Sequence, residues 1–469
     1  MDETVYSYEY GRENEARFWF SKRFFVAVMM FFGTINTFAL SANLNIAIVE
    51  MTSPKTTTLH NETIVHAPEF DWDSRTKGLI LGAFSYGIAA SIFGGYLAMK
   101  FGGSTIIGAG VAITAIITIF NPSIIRYSFH LFLIARAIEG VVEGFAIVSF
   151  TELWTQWAPV QDRSRLMAIG FSGMYAGTAI AYPVCGFIMH EYGWPAAFYL
   201  TGGSALIWSI LWILLIPNSP SSDKCISQKE LKYIINNQIS REPPKNVWRL
   251  CMSMLRSKCV LALCTTKFTY GVGFSIVVTC FPMYIKDMTN AEIHKVGIFS
   301  SLPNIISAFT VPIVGYIADY LHNKNILNIT QIHKLFMCGA FVLGAVLLFI
   351  ISSISANFIA SMICFMLFKI ALSTNYVISQ LCCVSIAPKC SSVVFGFLTI
   401  FYTLSSIASP MLIGLVVTNH SEAQWNTCFT LSAALLLIGA ITYLLFGSSD
   451  PQPWSYSAVP VHLSRNEIH

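Results

Sequence analysis

Charge is what this chain lacks. Asp, Glu, Lys and Arg make up 11% of its 469 residues, against roughly 25% in an average soluble domain, too few to coat a water-facing surface. The basic residues it has are not gathered into a patch with interleaved aromatics, which excludes a nucleic-acid partner. None of the 12 cysteines falls at metal-ligand spacing. Several of them, among them Cys185, Cys264, Cys280, Cys338, Cys364 and Cys428, sit in apolar runs where Cys acts as a small hydrophobe. Free thiols, no disulfide framework and no metal are expected. His-Glu-x-x-His, Gly-x-Ser-x-Gly and a phosphate-cradling glycine loop are all missing, so the chain does not read as an enzyme. A signal peptide is excluded too. Nine charges from Asp2 to Arg23 precede an apolar run that is too long for one.

Apolar residues supply 55% of the sequence, and the mean hydropathy is +0.62. A bilayer core about 30 Å thick needs roughly 20 apolar residues per helix. Windows of that length recur near 24–49, 77–99, 104–121, 129–153, 165–189, 194–216, 259–284, 296–318, 333–352, 356–379, 392–417 and 426–447. The expected fold is therefore an all-α, multi-pass membrane protein with about twelve transmembrane helices in two six-helix halves. The segments are a tail (1–23), a first half (24–216), a linker (217–258), a second half (259–447) and a second tail (448–469).

Loop charge gives the direction. Between Pro217 and Lys258 the linker carries eight basic residues against Asp223, Glu230 and Glu242, which the positive-inside rule places in the cytosol together with both termini. Lys100, Arg163, Arg165, Lys324, Lys334 and Lys389 follow to that side. The acidic stretch Glu62, Glu69, Asp71, Asp73 goes outside. Asn61-Glu62-Thr63 there is a candidate glycosylation site, as is Asn419-His420-Ser421.

An internal repeat strengthens the two-half reading. Gly95-Tyr96-Leu97-Ala98 after the second span is echoed by Gly315-Tyr316-Ile317-Ala318 after the eighth, each just before a short basic loop. Duplicated six-span halves joined by a polar linker resemble the build of major facilitator transporters. Gly95, Lys100, Arg163 and Asp319, at these turns and their loops, are assigned to gating.

A charged residue at the bilayer centre costs about 2.5–3.5 kcal/mol on insertion scales, so each one needs a reason. Arg136, Glu139 and Glu143 follow at i, i+3 and i+7 on one stripe of the fourth span, with Gly140 and Gly144 on an adjacent stripe suited to close helix packing. Arg136 is an anion anchor by its fixed donor fork, and Glu139 or Glu143 a proton-coupling carboxylate. The alternative is an ion pair that only holds helices together. Lys267 and Tyr270 share a face of the seventh span, and Lys369 lies within the tenth. Both lysines are candidate cavity cations, although Lys267 is near enough to the boundary to snorkel. Asn36 and Asn43 either line a cavity or bond helix to helix, and Glu152 is a gate or loop contact.

Several blocks together carry a resemblance: Asn43-Leu44, Gly94-Gly95-Tyr96-Leu97-Ala98, Arg136-Ala137-Ile138-Glu139-Gly140 with Glu143-Gly144, Trp157-Ala158-Pro159, and Ser301-Leu302-Pro303. The chain resembles the anion/cation symporters that include sialin, the vesicular glutamate transporters and the sodium-dependent phosphate cotransporters. The resemblance implies a monomer that moves inorganic phosphate or an organic anion by alternating access, driven by protons or sodium and without a cofactor. The membrane would be the plasma membrane or a lysosomal or vesicular one. By the resemblance, substrate binding passes to Arg136 and Tyr270 and proton coupling to Glu139 and Glu143; Asn43, Lys267 and Lys369 join the substrate-binding candidates as intramembrane polar residues. The sequence also departs from the family. Ser41 stands where an arginine is usual, and Cys382-Cys383-Val384-Ser385-Ile386-Ala387-Pro388 replaces a segment bearing Asn, His and Asp. These losses leave open a non-transporting relative acting as a receptor or organiser.

Overall fold

Long apolar segments in a bilayer fold as helices because no water is present there to satisfy backbone N–H and C=O groups. The computed structural model describes residues 18–52, 55–59, 62–237, 247–289, 293–354, 358–388, 390–417 and 421–456, with the backbone alone given for several stretches, 276–289 and 293–301 the longest. Asn61, Lys389 and Asn419 lie outside the described residues. Six spans form the first half: α1 (Lys22–Met51), α2 (Ser74–Ile88, resuming as Ser91–Phe101), α3 (Gly103–Tyr127), α4 (Phe129–Trp157), α5 (Arg163–Tyr192) and α6 (Trp194–Leu215). The second half holds α7 (Lys258–Thr289), α8 (Ile293–Asn323), α9 (Ile329–Ser353), α10 (Phe358–Ile386), α11 (Ser391–Val416) and α12 (Glu422–Phe446).

Helix ends fall where local chemistry puts them. Ser21, Asp73 and Ser128 cap α1, α2 and α4 by accepting from Phe24 N, Thr76 N and Leu131 N. Pro159 follows the end of α4, where a helix cannot continue. Gly193, at φ 80°, takes a conformation open mainly to glycine and turns α5 into α6.

Among the described residues, ten helices are long and apolar enough to cross a membrane by length and composition. The fourth span is not among them, because Arg136, Glu139, Glu143 and Glu152 interrupt its apolar run. Large side chains such as Ile207, Phe309 and Leu445 are exposed on the outside of the bundle, as a lipid-facing surface requires. One departure from an all-helical chain is a small antiparallel hairpin, β1 (Lys55–Leu59) with β2 (Glu62–His66), pairing Lys55 with His66 and Leu59 with Glu62. It lies between α1 and α2. The opposite end of the bundle carries the linker, so the two ends are called the hairpin end and the linker end.

The halves meet along two seams, α5 against α8 and the second segment of α2 against α11. Contacts between them gather at the linker end. A linker helix, Gln228–Asn236, is latched there. Glu230 accepts from the backbone N–H groups of Lys22 and Arg23 at 3.0 and 3.1 Å, supplying the anion that the positive end of α1 favours.

Candidate functional site

The charged stripe of α4 forms one compact network inside the first half. Glu139 is fully buried, and it accepts from Thr118 Oγ1 at 2.7 Å and Asn121 Nδ2 at 2.9 Å, both on α3, and from Arg136 Nη1 at 2.6 Å. The guanidinium of Arg136 also lies over the Phe84 ring of α2, 5.0 Å from its centroid. Arg136 therefore has its counter-ion in hand. Glu143, one turn on and buried, leaves Oε2 without a hydrogen-bond partner among the described residues. On the adjacent stripe, Gly140 and Gly144 meet the α2 backbone at Phe84 and Ile88, so the small residues do let the two helices close.

In the second half the chemistry is different. Lys267 of α7 is 3% exposed, and its Nζ sits 4.6 Å from the centroid of the Tyr376 ring and 5.3 Å from that of Phe395. Among the described residues no carboxylate lies within ion-pair reach of it. The lysine does not snorkel; it is held inside by aromatic faces, an attraction that strengthens when the cation is desolvated. Tyr270, one turn along α7, stacks on Phe274 at 5.4 Å and on Tyr402 of α11 at 6.2 Å. Tyr175 of α5 crosses from the first half and donates to the Ser373 carbonyl of α10 at 2.8 Å.

The contributors from α10 were readable but not assembled from sequence. Lys369, Ser373, Tyr376 and Gln380 follow at i, i+4, i+7 and i+11, which is one helical face, and all but the partly exposed Tyr376 are buried. Only Lys369 stood out by charge. Tyr175, Tyr376 and Tyr402 carry no such signal, because a tyrosine in an apolar run reads as core. Lys369 is buried too, with no ion-pair partner among the described residues.

Other expectations need correction. Asn43 does not line this space: it is fully buried and donates from Nδ2 to Thr201 of α6 at 2.9 Å, while Asn36 accepts from Ser204 of the same helix. The first-span asparagines thus tie α1 to α6. Ser41 turns its hydroxyl to the Phe38 carbonyl of its own helix and offers no substitute for a guanidinium. In the altered segment of α10, Ser385 lines a small pocket with Val160, Arg163 and Ser164 of the first half, whereas Cys382 points into the second half. Cys382 Sγ lies 3.0 Å from Tyr443 Oη of α12 and 3.3 Å from His333 Nδ1 of α9, itself 2.6 Å from Ser449 Oγ. The eleven described cysteines are all free.

The repeated glycine turn has a structural reason that only the fold reveals. Gly95 of α2 abuts the backbone of Ser392 and Val393 at the start of α11, where a Cβ would stand 2.5 Å from the Ser392 oxygen. Gly315 of α8 abuts Ser164 and Ala168 at the start of α5, its Cβ position 2.7 Å from the Ser164 oxygen. Each half thus gives its repeat glycine to the equivalent helix of the other, so the linker end is shut. Different acids seal the two seams. Asp319 accepts from the backbone N–H groups of Ser164 at 3.1 Å and Arg165 at 2.8 Å, and Glu152 accepts from Ser392 Oγ at 3.0 Å. Arg163 donates to the Ala158 carbonyl at 3.4 Å within its own half. Lys100 is exposed over Phe101 and is not brought into the seam.

Comparison with known proteins agrees with this architecture. The sequence matches the Major Facilitator Superfamily over residues 24–389. The zebrafish vesicular glutamate transporter 3 is 32% identical over 446 residues, 92% of this chain and 74% of that protein, and the human vesicular glutamate transporter 2 is 31% identical over 447 residues, 92% and 75% of the two chains. In structure, the proton:xylose symporter XylE bound to 6-bromo-6-deoxy-D-glucose superposes with a TM-score of 0.65 at 13% identity, covering 92% of this chain and 98% of its own. A variant of the E. coli fucose:proton symporter FucP gives 0.64 at 12% identity, over 90% and 99%. With its paired six-helix halves, crossed glycine seams and vesicular-transporter kinship, this chain is a multi-pass membrane protein of the Major Facilitator Superfamily, in the anion/cation symporter family.

Proposed function

We propose that this protein is a secondary-active transporter of small anions that works by alternating access, with Lys267 as the cation that receives the substrate. The observation that carries the reading is a buried lysine of the second half whose neighbours are aromatic rings rather than carboxylates, one of them, Tyr376, itself packed on Phe171 of the first half. A buried cation is costly unless paired, and an arriving anion is the missing partner. Arg136 is already neutralised by Glu139, so that pair serves to join α3 and α4. Glu143, with one free oxygen, is the carboxylate of the cluster left to exchange a proton. Inorganic phosphate and organic anions are the substrate classes, with protons or sodium as the coupling ion. The relatives are named for vesicular transport, which supports a vesicular membrane. The linker end and both termini face the cytosol, and Asn61 and Asn419 the other side.

Purified protein in liposomes, given labelled phosphate and a series of organic anions under an imposed proton or sodium gradient, tests this directly. Wild type takes up at least one anion. Lys267→Gln falls to the level of empty liposomes while eluting as a folded protein. Undiminished uptake in that variant removes Lys267 from the mechanism. The second reading, a receptor-like relative, is favoured by Ser41 and by the burial of Cys382 away from the interface between halves. It predicts no flux with any anion but anion-induced thermal stabilisation of the wild type.

A further inference from the structure

Between α1 and α5 of the first half and α8 of the second lies a cavity of about 540 Å³ that the anion chemistry does not use. Its depth follows from helix rise. Pro312, on its wall, is eleven residues before the linker end of α8 at Asn323, so it lies about 17 Å in from that end. All three helices are apolar spans. The hollow exists because Ala176 and Ala179 present small side chains at this level of α5. Toward the linker end it is closed where Gly315 meets Ala168 and Ser164. Its rim is made of Phe32, Ile180 and Phe309, which are 50%, 50% and 70% exposed on the lipid-facing surface.

The lining has no charge and one hydroxyl, Ser172, which already donates to the Ile169 carbonyl at 2.7 Å. Water needs two to four polar partners to occupy a cavity, and this one offers it no free donor. An unfilled hollow would forfeit the dispersion contacts of its walls. The medium at its mouth is hydrocarbon.

We propose that the cavity is a binding site for one acyl chain of a bilayer phospholipid, which wedges between α5 and α8 above their shut end. Because α5 and α8 belong to opposite halves, rocking changes the shape of the hollow. A chain that fits the present shape favours the linker-end-shut arrangement by the difference in its affinity for the two states.

Full-length protein in nanodiscs of phosphatidylcholine bearing a diazirine in the acyl chain tests the site. Peptides containing Phe32 and Phe309 should be labelled several-fold more than the α12 peptide containing Leu444 and Leu445, which are also exposed. Ala176→Trp, and the milder Ala179→Leu, should bring them down to the α12 level. A second readout is maleimide labelling of Cys390, a buried thiol beside the α2–α11 seam. Stripping lipid into detergent should speed it several-fold in wild type but not in Ala179→Leu, whose added side chain replaces the lipid. Equal labelling of the cavity and α12 peptides in wild type overturns the site. Cys390 labelling that is indifferent to delipidation overturns the wedge.

Discussion

The two halves share a fold and a repeated glycine turn, yet they handle buried charge in opposite ways. In the first half, a cation and a carboxylate neutralise each other within one helix and are held by two hydrogen bonds from the next. In the second, two lysines are buried with no carboxylate near them among the described residues, one of them against aromatic faces. An internal pair is a finished structure; an unpaired buried cation is available to a ligand. On the function proposed above, the difference separates groups that hold the fold from groups that do chemistry, and it favours Lys267 over Arg136 as the anion anchor.

The sharpest way to break this contrast is to make the second half resemble the first. Tyr376→Glu would put a carboxylate where the Tyr376 ring now faces Lys267. Anion uptake should fall to background while the protein stays folded, because the lysine acquires a permanent partner. Retained uptake would show that the free charge of Lys267 is not what the substrate meets.

Dismantling the pair of the first half comes next in size. Arg136→Met alone leaves Glu139 buried with its carboxylate uncompensated, a loss of about 3–5 kcal/mol in stability, readable as a lowered Tm. Adding Glu139→Leu should restore most of the Tm, and with it uptake. If the double variant is stable but inactive, Arg136 acts on substrate after all and the contrast between the halves fails.

The smallest effect concerns how the linker holds the first half. Tyr233, on the linker helix, is pushed up to about 12, first by burial and then by the nearby Asp162 carboxylate. The folded state therefore keeps this proton after the unfolded chain, near 10, has lost it. The contribution to stability is complete below about pH 10 and disappears between about pH 10 and 12. The late part of the tyrosinate absorbance titration should be smaller by one residue in Tyr233→Phe than in wild type. An equal late part in both would place the effect elsewhere.

Much of the scaffold was legible because the bilayer imposes it. Twelve apolar windows in the sequence correspond to twelve spans, even though α2 breaks at Ala89-Ala90 where no interruption was expected. The stripe Arg136, Glu139, Glu143 was legible because helical periodicity places its members on one face, but periodicity is blind to what stands opposite. Opposite Glu139 stand Thr118 and Asn121 of α3, which hydrogen-bond it. Asn43 was left between two readings for the same reason: an intramembrane amide reads alike whether it faces a cavity or, as it does, Thr201. The aromatic faces around Lys267 come from α10 and α11, more than a hundred residues away in sequence, and no local pattern joins them.

What the sequence determined by itself was the solvent, the number of crossings, the repeat and the scarcity of charge. All of these follow from one-dimensional rules about burying a backbone in hydrocarbon. Tertiary structure alone decided which charges are paired, that each repeat glycine docks on the opposite half, and that the linker end is shut. Those outcomes depend on which side chains from distant helices arrive at the same depth. A charge is structural or functional according to its neighbours, and neighbours across a bundle exist only once it has packed.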